Sequence, residues 1–240
     1  MKIVFYGGDS QTGTTMVALS VGQLLAERDW RILYIDASGH PGSDFLPRHG
    51  MMFLEELSSA GEDGRLEWKE LQRWILPCRG MEMIPGVRSF PGADRLGERE
   101  LSAICRAAEG RYDMILIDGG CGTNALSRAA LKQAEAAVVV ATQQEKILQR
   151  MEGRLAAGGG RLPEKSLLAV NRYHNGSAFY TASEMAEKLG WGERPVIRIP
   201  FAGYGMQAEQ DRATLLKHRA FRKGAEEVVG QVERWCGHGI

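Results

Sequence analysis

Short β-branched or aliphatic runs alternate with helix-spaced stretches along most of the 240 residues, and this alternation restricts the fold more than any other feature. Strands that alternate with helices form βαβ units and a parallel sheet. The runs fall at Ile3 to Tyr6, Arg31 to Ile35, Met81 to Ile84, Met114 to Ile117, Ala137 to Ala141, Leu167 to Val170 and Val196 to Ile199. Between the first two, Val17, Val21, Leu24 and Leu25 repeat at helical spacing from about Thr14 to Arg28. A second helix is expected over Gln143 to Ala157, with Gly158-Gly159-Gly160 as its stop. Residues Gly50 to Pro77 carry Trp68 and Trp74 among charges and are expected to add one or two helices outside the alternation. No repeat or low-complexity tract forces a boundary, so residues 1–240 are read as one domain.

Lys plus Arg and Asp plus Glu both total 30, so the net charge exerts no pull toward nucleic acid or anionic lipid. Arg212, Lys217, His218, Arg219, Arg222 and Lys223 form one basic cluster, which the sequence favours as a solvated helix face. In the last segment, Phe221, Ala225, Val228, Val229, Val232 and Trp235 share a stripe whose opposite face has mixed charge. Membrane-surface helices carry a strongly basic polar face, so a docked terminal helix is expected instead. Cys78, Cys105, Cys121 and Cys236 make no CxxC pair and are read as inert thiols. The apolar run in MKIVFYGG is too short for a signal-peptide core, and a cytoplasmic protein is expected.

The chemistry concentrates in Gly8-Asp9-Ser10-Gln11-Thr12-Gly13-Thr14-Thr15, between a predicted strand and a predicted helix. It keeps the glycines and final hydroxyl of GxxxxGK[ST], in which backbone N–H groups and a helix N-terminus wrap phosphates. Thr14 occupies the lysine position. Two strands end in carboxylates, Asp36 and Asp118, at the strand tips where open α/β sheets bind ligands. Asn171 and Arg172 follow a later strand, and Pro200 ends another.

In this order the chain resembles the MinD/ParA group of deviant P-loop ATPases: P-loop, strand-ending aspartate, second aspartate, Asn-bearing loop. The likeness runs almost end to end and implies a single doubly wound, mostly parallel sheet flanked by helices. It also implies ATP or ADP with Mg2+ as ligand. Gly8 to Thr15, Asp36, Asp118, Asn171, Arg172 and Pro200 would form the nucleotide site, with Thr15, Asp36 and Asp118 toward the metal. The resemblance assigns Asn171 and the stretch Pro200 to Tyr204 to the base. A homodimer is implied as well.

Departures from the pattern bear on activity. Asp9 stands where the family carries its signature lysine, and Ser38 stands where it carries a second aspartate near the attacking water. One unit charge facing another at roughly 4 Å is worth about 4 kcal/mol at an effective dielectric near 20, so a carboxylate aimed at a phosphate costs what the lysine would gain. Phosphoryl transfer depends on positioning and charge neutralisation, so turnover should suffer more than binding. Loss of the P-loop lysine resembles the TadZ/CpaE branch, which implies a positioning or assembly factor whose partner belongs to pilus or secretion machinery. Two alternatives remain open: an active ATPase of the same fold, with Arg172 or Arg198 supplying the missing charge, and a pseudo-ATPase that binds no nucleotide.

Overall fold

The computed structural model describes residues 1–41, 52–59, 66–121, 124–156, 162–176 and 178–237. Its strands are β1 (Lys2–Gly7), β2 (Ile32–Asp36), β3 (Leu76–Cys78), β4 (Met81–Ile84), β5 (Met114–Asp118), β6 (Ala136–Ala141), β7 (Lys165–Tyr173) and β8 (Val196–Pro200). The helices are α1 (Thr14–Ala26), α2 (Trp68–Leu71), α3 (Phe90–Ala93), α4 (Glu98–Ala108), α5 (Ala125–Gln133), α6 (Glu145–Ala156), α7 (Ala182–Lys188), α8 (Gly205–Gln210) and α9 (Arg219–Trp235).

All eight strands join one sheet in the order β3-β4-β2-β5-β1-β6-β7-β8, parallel throughout except for β3 against β4. The seven strands expected from the sequence are all present. β3 was not expected, because it is three residues long and lies in the stretch read as helical. Its Pro77 is compatible with a sheet because β3 is an edge strand.

The central strands β2, β5 and β6 are buried at every position, which is why they read as continuous apolar runs rather than alternating ones. Successive residues of β1 serve opposite faces. Val4 and Tyr6 pack with α4, α5 and α6, while Ile3 and Phe5 pack with α1 and α9. Helices therefore cover both sides, as a doubly wound sheet requires. From β1 the chain crosses through α1 to β2 on one side, and from β5 it crosses through α5 to β6 on the other. Connections diverging in this way open a crevice at the carboxyl ends of the strands.

The terminal helix docks as expected: Phe221, Ala225, Val228, Val229 and Val232 are buried in the core, and Trp235 is half-buried at its edge. In the basic cluster, Arg222 pairs with Glu27 and Glu226, and His218 stacks on Tyr204 with ring centroids 4.3 Å apart. Within the segment 50–77 the structure shows helical turns at Leu54–Ser59, Trp68–Leu71 and Gln72–Trp74, with Trp74 buried. Residues 60–65 and the triglycine at 158–160 lie outside the described residues. Among the described residues no helix is long and apolar enough to cross a membrane. The four cysteines are free thiols, with Cys105 and Cys121 buried.

The contact of α9 with β8 depends on Gly224. A Cβ there would sit 2.8 Å from Ile199 Cα and 2.9 Å from Arg198 O, both backbone atoms that cannot yield cheaply. Gly224→Ala should therefore lower stability by about 1–3 kcal/mol in urea unfolding. Gly230→Ala on the same helix, where the new carbon meets only Arg234 Nη1 at 3.9 Å, should instead gain up to about 1 kcal/mol. Equal effects of the two changes would show that the helix does not rest on the strand backbone as described.

Candidate functional site

The site begins where β1 ends. Gly7 N–H donates to Gly120 O at 2.6 Å and Gly8 N–H donates to Val140 O at 3.0 Å, so the loop is tied to the ends of β5 and β6 before it turns. Gly13 then starts α1 at φ 81°, with no side chain capping the helix. The first-turn N–H groups of α1 lack intrahelical acceptors and face the loop's interior, an arrangement that attracts anions.

The interior of the loop is not vacant. Thr12 and Thr14 are buried, their hydroxyls lie 3.0 Å apart, and Thr12 Oγ1 donates to Asp9 O at 3.1 Å. A Cβ on Gly7 would fall 2.4 Å from Thr14 Oγ1, so this hydroxyl is turned back against β1. Asn171 Nδ2 donates to Thr12 O at 2.8 Å. The amide for which the resemblance implies a base contact here braces the loop.

Below the loop lie two buried carboxylates. Asp118, with no solvent exposure, accepts from Thr15 Oγ1 at 2.6 Å, Tyr34 OH at 3.0 Å and Gly120 N–H at 3.0 Å. Asp36 Oδ1 accepts from both the N–H and the hydroxyl of Ser38, at 3.1 and 2.7 Å. Burial and the charge of Asp118 push the Asp36 carboxyl up to about 7, against the two Ser38 donors. Asp118 is also raised by burial, opposed by its hydrogen bonds from Thr15, Gly120 and Tyr34 and by the nearby charge of His40. One hydroxyl and two carboxylates suit a hard cation such as Mg2+, which takes a few protein oxygens and keeps several waters. Among the described residues, no cluster of three His, Cys, Asp or Glu side chains offers an all-protein metal cage.

Asp9 does not face the loop as an isolated charge. Its carboxylate forms an ion pair with Arg150 of α6 and accepts from Ser10 N–H at 2.8 Å. Partial burial alone would raise the Asp9 carboxyl, but Ser10 and Arg150, with Arg154 nearby, hold it below the usual range. Arg154, one turn further along α6, donates to Gly8 O at 3.0 Å and to Cys121 O. These two arginines were not singled out from the sequence. Their i,i+4 spacing shows that they share a helix face, but not that the face meets the loop. Of the two cations that were named, Arg172 lines the cavity; its φ is 55° and its N–H donates to Asn171 Oδ1 at 2.9 Å, where the pairing of β7 with β8 shifts register. Arg198 lies over the Tyr173 ring at 5.6 Å and is not part of the cavity lining.

The cavity has a volume of about 640 Å³, and its lining includes Asp9 to Thr15, Asn171, Arg172 and Pro200. Gly8 sits under Met151 and Ile147 of α6 instead. Asp36 and Asp118 are buried beside the cavity and joined to its wall through Ser38 and Thr15. Phe201 to Gly203 continue the lining from Pro200, whereas Tyr204 turns away onto His218. His40, Gly120 and Cys121 also line it and were not anticipated.

No protein-family model matches the sequence, and no curated relative does. Solved structures do match. A ParA family ATPase from Chlorobium tepidum TLS superposes with a TM-score of 0.81 at 20% identity, covering 95% of this chain and 98% of that one. The septum site-determining protein MinD of Pyrococcus horikoshii OT3, complexed with Mg-ADP, gives 0.80 at 17% identity, covering 100% and 98%. A chain of the MinC:MinD cell division protein complex of Aquifex aeolicus gives 0.72 at 16%, covering 100% and 96%. At these identities the likeness is one of fold, and the fold is that of the MinD/ParA P-loop ATPases.

The raised Asp36 carboxyl sets a pH dependence for the metal-free protein. The folded state holds a proton that the unfolded chain releases from its ordinary value of 3.8, up to about 7 in the folded state. Stability contributed by that proton is lost as pH rises across this window and is constant above it. Urea midpoints should therefore fall between about pH 4 and about pH 7, and Asp36→Asn should flatten the decline. A midpoint that rises over the same range would contradict the assignment.

Proposed function

We propose that this chain is a nucleotide-responsive positioning or assembly factor. It binds adenine nucleotide with Mg2+ at the loop from Gly8 to Thr15 and hydrolyses it poorly. The observation that carries this reading is the cavity itself, bounded by the uncapped N-terminus of α1 and by a hydroxyl–carboxylate pair 2.6 Å apart, Thr15 with Asp118. Main-chain donors would hold the phosphates, since they survive any change of side chain. Thr15, Asp36 and Asp118 would hold Mg2+ through oxygen, and a bound Mg2+ neutralises phosphate charge. Pro200 and Phe201 would pack on a base; Phe201 is half exposed beside His174 with ring centroids 4.8 Å apart.

Three features support slow chemistry. The lysine position carries Thr14, turned inward onto Thr12. The only acid near the loop's outer end is already neutralised by Arg150 among the described residues, so that arginine is not free to stabilise a transition state. Ser38 directs its hydroxyl proton to Asp36. The resulting picture is a cytoplasmic, dimer-forming protein, acting as one unit over residues 1–240, whose nucleotide state is read by a protein partner, as in the TadZ/CpaE-like branch.

Calorimetric titration of the full chain with Mg-ATP and Mg-ADP should give measurable heat, and Asp118→Ala should abolish the magnesium dependence of binding. Phosphate release should run far below the ~10 s⁻¹ typical of enzymes. Absence of heat with either nucleotide would favour a fold that binds none. Brisk magnesium-dependent release would favour an active ATPase, with Arg172 or Arg198 supplying the missing charge.

A further inference from the structure

Ser38 lines the cavity, but its hydroxyl is already engaged. Its hydroxyl donates to Asp36 Oδ1 at 2.7 Å and accepts from His40 N–H at 3.3 Å. Other acceptors on the cavity wall are similarly engaged. Asp9 is paired with Arg150, and Asn171 Oδ1 accepts from Arg172 N–H. Ser10 and Gln11 stand on the exposed rim of the loop.

His40 is exposed as well, but it differs from these in having an anchored ring. It lines the cavity, and its ring is held through Nδ1, 3.2 Å from Ser38 O. A carbonyl oxygen only accepts, so this contact requires the proton on Nδ1, and when the ring is neutral Nε2 is its acceptor. Among the described residues Nε2 has no partner. The anchor is itself fixed. Asn124 Nδ2 donates to the same Ser38 O at 2.8 Å, and Asn124 caps α5 through Ser127 N–H at 2.7 Å. Phe90 meets the ring edge-on with centroids 6.2 Å apart. His40 also lies within electrostatic reach of Asp118, so it belongs to the carboxylate side of the cavity.

We propose that His40 Nε2 orients the water that attacks a bound nucleoside triphosphate, and that the residual turnover of this protein depends on it. The inference rests on the nucleotide reading above. In the step, the water oxygen bonds to the terminal phosphorus while the bond from phosphorus to the bridging oxygen breaks. The diphosphate leaves with that electron pair, and one water proton passes to an oxygen of the released phosphate. His40 accepts a hydrogen bond from the water and is unchanged at the end.

The test compares the full-length protein with His40→Ala and His40→Gln, measuring Mg-ATP affinity by calorimetry and phosphate release in a single turnover. His40→Ala should keep affinity within about twofold and lose about tenfold or more in rate, while His40→Gln, which retains an acceptor, should stay within about threefold of the parent rate. Thermal melts show whether either variant is misfolded, and the glutamine variant carries the test if the alanine one is. A parent protein that binds no Mg-ATP removes the nucleotide reading and this role with it. Binding without any turnover, an unchanged rate in His40→Ala, or a glutamine variant as slow as the alanine one overturns the role of His40 alone.

Discussion

The arrangement of the site depends on one buried charge. Asp118 has no exposure to solvent, and a carboxylate removed from water is costly unless hydrogen bonds replace its hydration. Its three donors come from three places: Thr15 at the start of α1, Tyr34 in β2 and the N–H of Gly120 beyond β5. Satisfying this one group therefore sets the start of α1, the register of β2 beside β5 and the turn after β5 relative to one another. The pairing of Asp36 with Asp118 across β2 and β5 puts the second carboxylate at the same level. Burial raises both carboxyls, and the charge of Asp118 raises Asp36 further, since two like charges at that depth cannot both ionise cheaply. A divalent cation is the natural means of relieving that repulsion.

Around this centre the loop is closed by its own side chains. A lysine at position 14 would project a charge toward a ligand, whereas Thr14 makes a short internal contact that closes the loop on itself. The sequence alone suggested that Asp9 would repel a polyanion by as much as a lysine would attract it. The structure moderates this, because Arg150 neutralises Asp9 locally. Both partners retain exposure, so the pair is screened and its own worth is modest. Its consequence is positional: it keeps a guanidinium of α6 at the rim of the loop, while Arg154 grips the carbonyls of Gly8 and Cys121. Positive charge is thus present at the loop, but it is supplied from α6 and directed at protein atoms.

Much of the fold was legible because its signals are local. Apolar runs such as Ala137 to Ala141 announce buried parallel strands, and the strand tips put Asp36 and Asp118 in place without knowledge of tertiary contacts. The parts that were not legible depend on which surfaces meet. Arg150 and Arg154 read as two charges on a solvated helix until the packing of α6 over Gly8 is known. His40 follows a strand tip by a few residues, and a single histidine in a polar turn carries no periodic signal. Asn171 was legible as a site residue but not in its role, since the sequence could not show that Thr12 O lies 2.8 Å from its amide. β3 was missed for a different reason: three residues containing a proline are too few to display alternation.

These differences bear on how a nucleotide fold can change its chemistry while keeping its shape. The N–H groups at the start of α1 and in the loop come from the main chain, and their direction is fixed by the left-handed turn at Gly13 and by the tie of Gly7 and Gly8 to β5 and β6. None of these requires a particular ionisable side chain. The groups that accelerate phosphoryl transfer do, because charge must be placed where it develops in the transition state. The side chains at positions 9, 14 and 38 are each satisfied by a neighbour: Arg150, Thr12 and Asp36 respectively. A loop so satisfied is stable without a ligand. It retains the cradle, and it leaves His40, anchored at Ser38 O, as the acceptor on the carboxylate side of the cavity whose second nitrogen stays open among the described residues.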